Sequence, residues 1–230
     1  MMNFAQGQLH SRLRILGGSV PTLYDFDKAL YFDGSSYGDM PSSFSSDSYT
    51  CSFWLRAGSN NFHNVVTGSD FAIGILVATN NNIVNTRFNA FSNTYHFPSI
   101  PSNEWLHFYF WNDGVDERVF MNGVESTTGT LSSKTTDMSL DAIGYRYNPT
   151  GRYVNGLLDD LLLSSTATST PATEAFELYN AGAGVNPLSI IPSAEHLYRF
   201  NDNVNNDGSA GGALTMNNFI PFPYAKHTPT

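Results

Sequence analysis

One stretch near the middle of the chain constrains the fold more than any other. Residues 104–123 carry an aromatic-rich run, Trp105 to Trp111, that ends in Asp113-Gly114. A second short run, Arg118 to Met121, ends in Asn122-Gly123. Gly and Asn accept the positive φ that tight hairpin turns need, so alternating β-formers cut by Asp-Gly and Asn-Gly read as consecutive antiparallel strands. A chain with such a stretch at its centre is built around a sheet.

The rest of the middle follows the same rule. Strands are expected near 29–33, 49–57, 62–67, 70–78, 83–91, 104–112, 117–121, 139–146 and 153–164. The connectors between them are dense in turn residues, as in Gly58-Ser59-Asn60-Asn61, Asn80-Asn81-Asn82 and Asn148-Pro149-Thr150-Gly151. Many strands at short spacing with polar turns imply an all-β sandwich. The nearly all-apolar run Phe71 to Ala78 suits a strand covered on both faces. One helix is expected after the strands: Thr170 suits its N-cap, Pro171 its first position, and Gly182 or Gly184 its stop.

Three segments in order resemble a known family. The central "W-x-H … D-G … V-F-x-N-G" pattern is one. Upstream, Ala29-Leu30-Tyr31-Phe32-Asp33-Gly34, Met40-Pro41 and Tyr49 to Leu55 form the second. Downstream, Ala142-Ile143-Gly144 and Gly156 to Leu163 form the third, followed by Glu177 to Gly182 at the end of the helix. Together they resemble the laminin-G-like, concanavalin A-like lectin/glucanase jelly rolls, over roughly residues 29–182. The fold this implies is an all-β antiparallel jelly-roll β-sandwich with one short helix and extended terminal segments. The expected organisation is an N-terminal arm (1–28), a jelly-roll domain (29–218) and a C-terminal extension (219–230). Within the domain, 186–218 resembles the family's leading strand pair, displaced behind the helix. Closure of the sandwich by this pair within the same chain is favoured over donation to a neighbouring subunit.

Composition limits the function. The net charge of −9 argues against a nucleic-acid phosphate partner. Charged residues make up only 13% of the chain, so Ser, Thr and Asn supply the polar surface, as in extracellular and virion β-proteins. The single cysteine, Cys51, excludes an internal disulfide and reads as a small core residue. The first fifteen residues lack the apolar run of a signal peptide, and no stretch approaches the roughly 18 apolar residues of a membrane span.

Catalysis on this fold uses carboxylates at i, i+2 and i+4 of one strand, which alternation aims into one cleft. No such arrangement is present. Asp113, Asp116 and Glu117 sit at a turn, Glu174 and Glu177 on the helix, and Asp159 and Asp160 are adjacent and so face opposite sides. The chain reads as non-catalytic. His107, at the family's "W-x-H" position, reads as a packed histidine. The resemblance implies a structural Ca²⁺ between Asp33 and Asp159; the local alternative is that both carboxylates bind backbone N–H groups. It also implies glycan binding, for which the aromatic turn with Tyr145, Tyr147, Arg152 and Tyr153 is the better candidate and Phe62-His63-Asn64 the weaker one. The alternative for these aromatics is cover for a sheet edge or packing on a neighbour.

Two function classes follow. One is a non-catalytic bacteriophage virion surface protein: a decoration, cement or fibre-associated subunit, assembled in the host cytoplasm and exposed on the particle. Its partners would be other virion proteins or copies of itself, with cell-surface glycans as ligands. The ending Leu178 to Gly184 resembles phage members of the family. The other is a free-standing carbohydrate-binding module or lectin; a glycoside hydrolase is the minor alternative.

Overall fold

The computed structural model describes residues 28–58, 62–68, 73–88, 91–126, 128–130, 137–145, 153–219 and 224–225. In chain order the strands are β1 (Ala29–Asp33), β2 (Tyr37–Ser46), β3 (Tyr49–Ala57), β4 (Phe62–Thr67), β5 (Gly74–Ala78), β6 (Ile83–Phe88), β7 (Phe91–His96), β8 (Leu106–Asn112), β9 (Glu117–Met121), β10 (Val124–Glu125), β11 (Thr128–Thr130), β12 (Met138–Ile143) and β13 (Asn155–Ser164). Helices α1 (Pro171–Tyr179) and α2 (Pro187–Ile190) follow, then β14 (His196–Tyr198), β15 (Thr215–Asn217) and β16 (Tyr224–Ala225).

Among the described residues these strands form two antiparallel sheets. The first runs β10-β9-β8-β3-β13-β1-β16, with β14 also paired to β13; the second runs β11-β7-β6-β5-β4-β12-β2-β15. The expected all-β jelly-roll sandwich is what forms. The Asp-Gly and Asn-Gly turns behave as the sequence requires, with φ of +95° at Gly114, +53° at Asn122 and +73° at Gly123. The tail pairs within its own chain: β14 on β13, β15 on β2 and β16 on β1. The last pairing places part of the 219–230 extension in the first sheet. The expected arm, apart from Lys28, lies outside the described residues.

Alternation sorts each strand between the core and an outer face. Phe53, Leu55, Phe108, Phe110, Leu158, Leu161 and Leu163 from the first sheet meet Ile75, Val77, Val84, Met138 and Leu140 from the second. Cys51 is buried in this core, and burial pushes its thiol pKa up. The outer face of the first sheet carries Tyr109, Trp111, Phe120 and Leu162, which pack under Ala175 and Leu178 of α1 and Ile191 beyond α2. Tyr109 donates to Glu174 Oε1 at 2.7 Å, and Trp111 Nε1 to the Thr168 carbonyl at 2.8 Å, so the helical segment is tied down by polar contacts as well.

Several local expectations are corrected. Thr170 stands at the N-cap of α1 without a side-chain cap bond; its carbonyl accepts from Thr173 and Glu174. Asn180, at φ +45°, ends α1 ahead of either glycine. Asp159 and Asp160 do not sit on opposite faces of a regular strand: a register shift lies between Asp159 and Leu162, Asp160 has φ +45°, and both residues are buried. Glu117 is not a turn residue but opens β9 with its carboxylate between the sheets, where it accepts from Tyr49 of one sheet and Tyr95 of the other.

Gly144 shows how tightly the layers meet. Its φ is +81°, and an added Cβ would stand 2.3 Å from Cε1 and 2.5 Å from Cδ1 of the buried Phe32 ring. Strain and overpacking act together there, so Gly144→Ala is expected to lower stability by about 2–3 kcal/mol, read as a shift of the urea midpoint at constant slope.

Candidate functional site

At one end of the sandwich three tyrosines converge from distant parts of the chain. Tyr37 opens β2, Tyr145 follows β12, and Tyr153 precedes β13. The Tyr37 and Tyr145 rings stack at 4.7 Å and 27°, and Tyr145 and Tyr153 meet at 5.0 Å and 40°. All three are half-buried, so each ring keeps open surface. The backbone under Tyr145 is fixed on both sides: Gly144 N donates to the Val65 carbonyl at 2.8 Å, and Thr67 Oγ1 donates to the Tyr145 carbonyl at 2.5 Å.

Polar groups flank the rings. Asn217 of β15 lies opposite Tyr37 in the register, and Asp39 lies two residues along β2, on the same face as Tyr37. Asn217 Nδ2 donates to Asp39 Oδ2 at 3.0 Å, and Asn218 Nδ2 to the Ser35 carbonyl at 3.5 Å. Aromatic faces beside an amide and a carboxylate offer a sugar both an apolar platform and hydroxyl partners. Of the four expected sugar-contacting residues, the structure brings Tyr145 and Tyr153 together; Tyr147 and Arg152 lie outside the described residues. Tyr37, Asp39 and Asn217 were missed because nothing local joins them to the turn that carries Tyr145.

The other candidates take different places. Phe62-His63-Asn64 is no loop: it begins β4, His63 and Asn64 are buried, and His63 Nδ1 accepts from Asn155 N at 3.3 Å. Asp33 and Asp159 do not fit a shared ion. Asp33 pairs with Asn155, four residues from Asp159 along β13, a separation of about 13 Å at the usual rise per residue. Asp33 Oδ1 instead accepts from Ser35 N, Ser35 Oγ and Ser36 N at 2.8, 2.9 and 2.9 Å. The slight burial of Asp33 works to raise its pKa, and these hydrogen bonds outweigh it and hold the pKa below its usual value. Asp159 Oδ1 accepts from Asp160 N at 2.8 Å, while burial and the neighbouring Asp160 charge push its pKa well up. Among the described residues, no group of three or more His, Cys, Asp or Glu could hold a metal ion.

Residues 32–172 match the laminin G family model described as the concanavalin A-like lectin/glucanases superfamily. The chain belongs to this superfamily. Two solved structures share the superfamily fold. A native heptameric SAP-like pentraxin from Limulus polyphemus aligns with a TM-score of 0.57 at 16% identity, over 70% of this chain and 85% of the pentraxin. A protein from Bacteroides ovatus described as carbohydrate binding aligns with a TM-score of 0.59 at 15% identity, over 84% of this chain and 60% of that one. The jelly roll described here thus spans about 60% of the length of the Bacteroides protein. No curated protein matches the chain.

Proposed function

We propose that this jelly roll is a non-catalytic glycan-binding module and that it serves on the surface of a bacteriophage virion. The observation that carries the glycan reading is the convergence of Tyr37, Tyr145 and Tyr153 beside Asp39 and Asn217. The carbohydrate-binding description of the Bacteroides ovatus protein supports it at the level of the fold. The low charged fraction and the phage-like Leu178 to Gly184 ending support the virion reading, in which the terminal segments contact other virion proteins or copies of this chain. A free-standing lectin is the second reading, and the pairing of β14, β15 and β16 within their own chain favours it.

The test is a broad glycan array with the wild-type chain and the Tyr37→Ala and Tyr153→Ala variants. Binding is expected in the wild type, with at least a tenfold loss in each variant and little change in melting temperature. A silent wild-type chain removes the glycan reading, and release of reducing ends from any bound glycan removes the non-catalytic one. Deleting residues 1–28 separates the two biological settings: a virion subunit loses incorporation into particles, whereas a lectin keeps its full activity.

A further inference from the structure

A second concave site lies on the outer face of the first sheet, where the end of α1 passes over β3 and β8. A cleft of about 120 Å³ opens there, lined by Trp54, Glu104, Trp105, Asn122, Tyr179 and Gly182. The two indoles are largely buried, at 3% and 8% exposure, and so are fixed in place. The Tyr179 ring lies 5.9 Å from that of Trp54 and is half-buried. Glu104 is exposed at the mouth. Asn122 is held at φ +53°, and its Oδ1 accepts from His107 N at 2.9 Å.

Three properties select a ligand. The volume suits one small ring, since it holds several water-sized probes but no extended chain. The accessible lining is mainly polar, an amide and a carboxylate beside the half-buried Tyr179 ring with the nearly closed-off indoles behind it, which fits a small ligand that shows many hydroxyl groups and one carbon–hydrogen face. The charge around the cleft leans away from anions: Glu104 is acidic, and the C-terminal turn of α1, whose Tyr179 lines the cleft, carries no basic residue.

We propose that this cleft is a second sugar subsite that takes the terminal unit of an uncharged or amino-substituted glycan. It shares the glycan chemistry of the tyrosine surface but stands on different residues, so each can fail without the other.

The experiment follows tryptophan fluorescence and saturation-transfer NMR on the full chain. The probes are the methyl glycosides of glucose, galactose, mannose, N-acetylglucosamine, glucosamine and sialic acid, with tetramethylammonium as a non-sugar cation. Two of the three tryptophans line the cleft, while Trp111 is engaged with Thr168 beneath the helical segment. At least one uncharged or amino glycoside is expected to give a saturable change. Glu104→Lys, a substitution at an exposed position, should weaken it tenfold or more without moving the melting temperature, and Tyr179→Leu should do the same. Tyr153→Ala should leave it unchanged. Silence across the glycosides, a response to tetramethylammonium alone, preference for the sialoside, or a response that survives Glu104→Lys each overturns the proposal. Array binding lost in Tyr153→Ala but untouched by Glu104→Lys would reject the cleft and keep the tyrosine surface; the opposite pattern would do the reverse.

Discussion

Replacing Glu117 with alanine is expected to destabilise the protein by about 3–5 kcal/mol, the loss expected when several buried donors lose one shared acceptor. The side chain is only 9% exposed and stands between the two sheets. From its own sheet, Tyr49 donates to Oε2 at 2.8 Å and Asn112 Nδ2 at 3.3 Å. From the facing sheet, Tyr95 donates to Oε1 at 2.8 Å, Asn93 Nδ2 at 3.1 Å, and Thr86 Oγ1 closely as well. An acceptor-only carboxylate therefore satisfies donors from β3, β6, β7 and β8 at once. Removing it takes the carboxylate acceptor from all of them at once, with the Glu117 carbonyl still within 3.3 Å of the Tyr95 hydroxyl, and each group left unsatisfied costs about 1–3 kcal/mol. Burial, and next the Glu117 charge, push the Tyr49 and Tyr95 pKa values upward, so both hydroxyls keep the protons they donate. For a chain of this size the loss corresponds to a fall of roughly 6–20 °C in melting temperature. Glu117→Gln should fall between, because its amide keeps one acceptor oxygen but turns two N–H donors toward other donors. Differential scanning calorimetry decides; a melting temperature within two or so degrees of wild type would show that the network contributes little to stability.

The same residue shows where sequence reading stops. Next to Asp113 and Asp116, Glu117 looks like part of a polar turn. The partners that draw it inside lie 22 to 68 residues earlier, apart from Asn112, and no local pattern reveals them. What the sequence shows well is local chemistry: the positive-φ turns at Gly114 and Asn122-Gly123, the aromatic strands β3 and β8, and Pro171 at the start of α1. β2 was missed because Ser-rich sequence and Pro41 weaken its pattern. Pro41 falls where the β2–β12 register shifts between Leu140 and Ala142, the kind of irregularity at which a strand tolerates proline. The strand read over 83–91 covers β6 but stops at the first residue of β7, which was missed, since Asn89-Ala90 lacks the glycine that marks a tight turn. The candidate sites divide in the same way. Tyr145 and Tyr153 could be read together because they flank one turn, whereas Tyr37 joins them only through tertiary pairing. The cleft likewise draws on β3, the β8 approach, the β9–β10 turn and the end of α1.

His107 is expected to make the fold sensitive to mild acid. It is 2% exposed, packs in a three-ring cluster with Trp54 and Tyr179 at 5.1 and 6.4 Å, and shares a 2.8 Å hydrogen bond between Nε2 and Ser52 Oγ. Its Nδ1 has no hydrogen-bond partner among the described residues. Burial lowers its pKa to about 3. The unfolded chain takes up a proton near pH 6.5 while the folded chain does not, so the unfolded state binds more protons through this window. The stabilising contribution is therefore complete above about pH 6.5 and lost as the pH falls toward 3, with a ceiling on the order of 5 kcal/mol. His196, whose pKa burial also lowers, adds in the same direction. Asp159 acts the other way, since its raised pKa favours the fold when protonated. Asp33 and Asp113, with lowered pKa values, lose their contributions only below about pH 4. Urea unfolding of the wild type and of His107→Gln at pH values from 7 to 4 isolates His107, since the other titrating groups are common to both. His107→Gln keeps a polar group toward Ser52 and removes the titration, so the slope of stability against pH between 6 and 4 should fall by about 1.4 kcal/mol per pH unit. An unchanged slope would mean that His107 is protonated inside the fold, and that the space around it, beside Trp54 and Tyr179, is wetter than its burial implies.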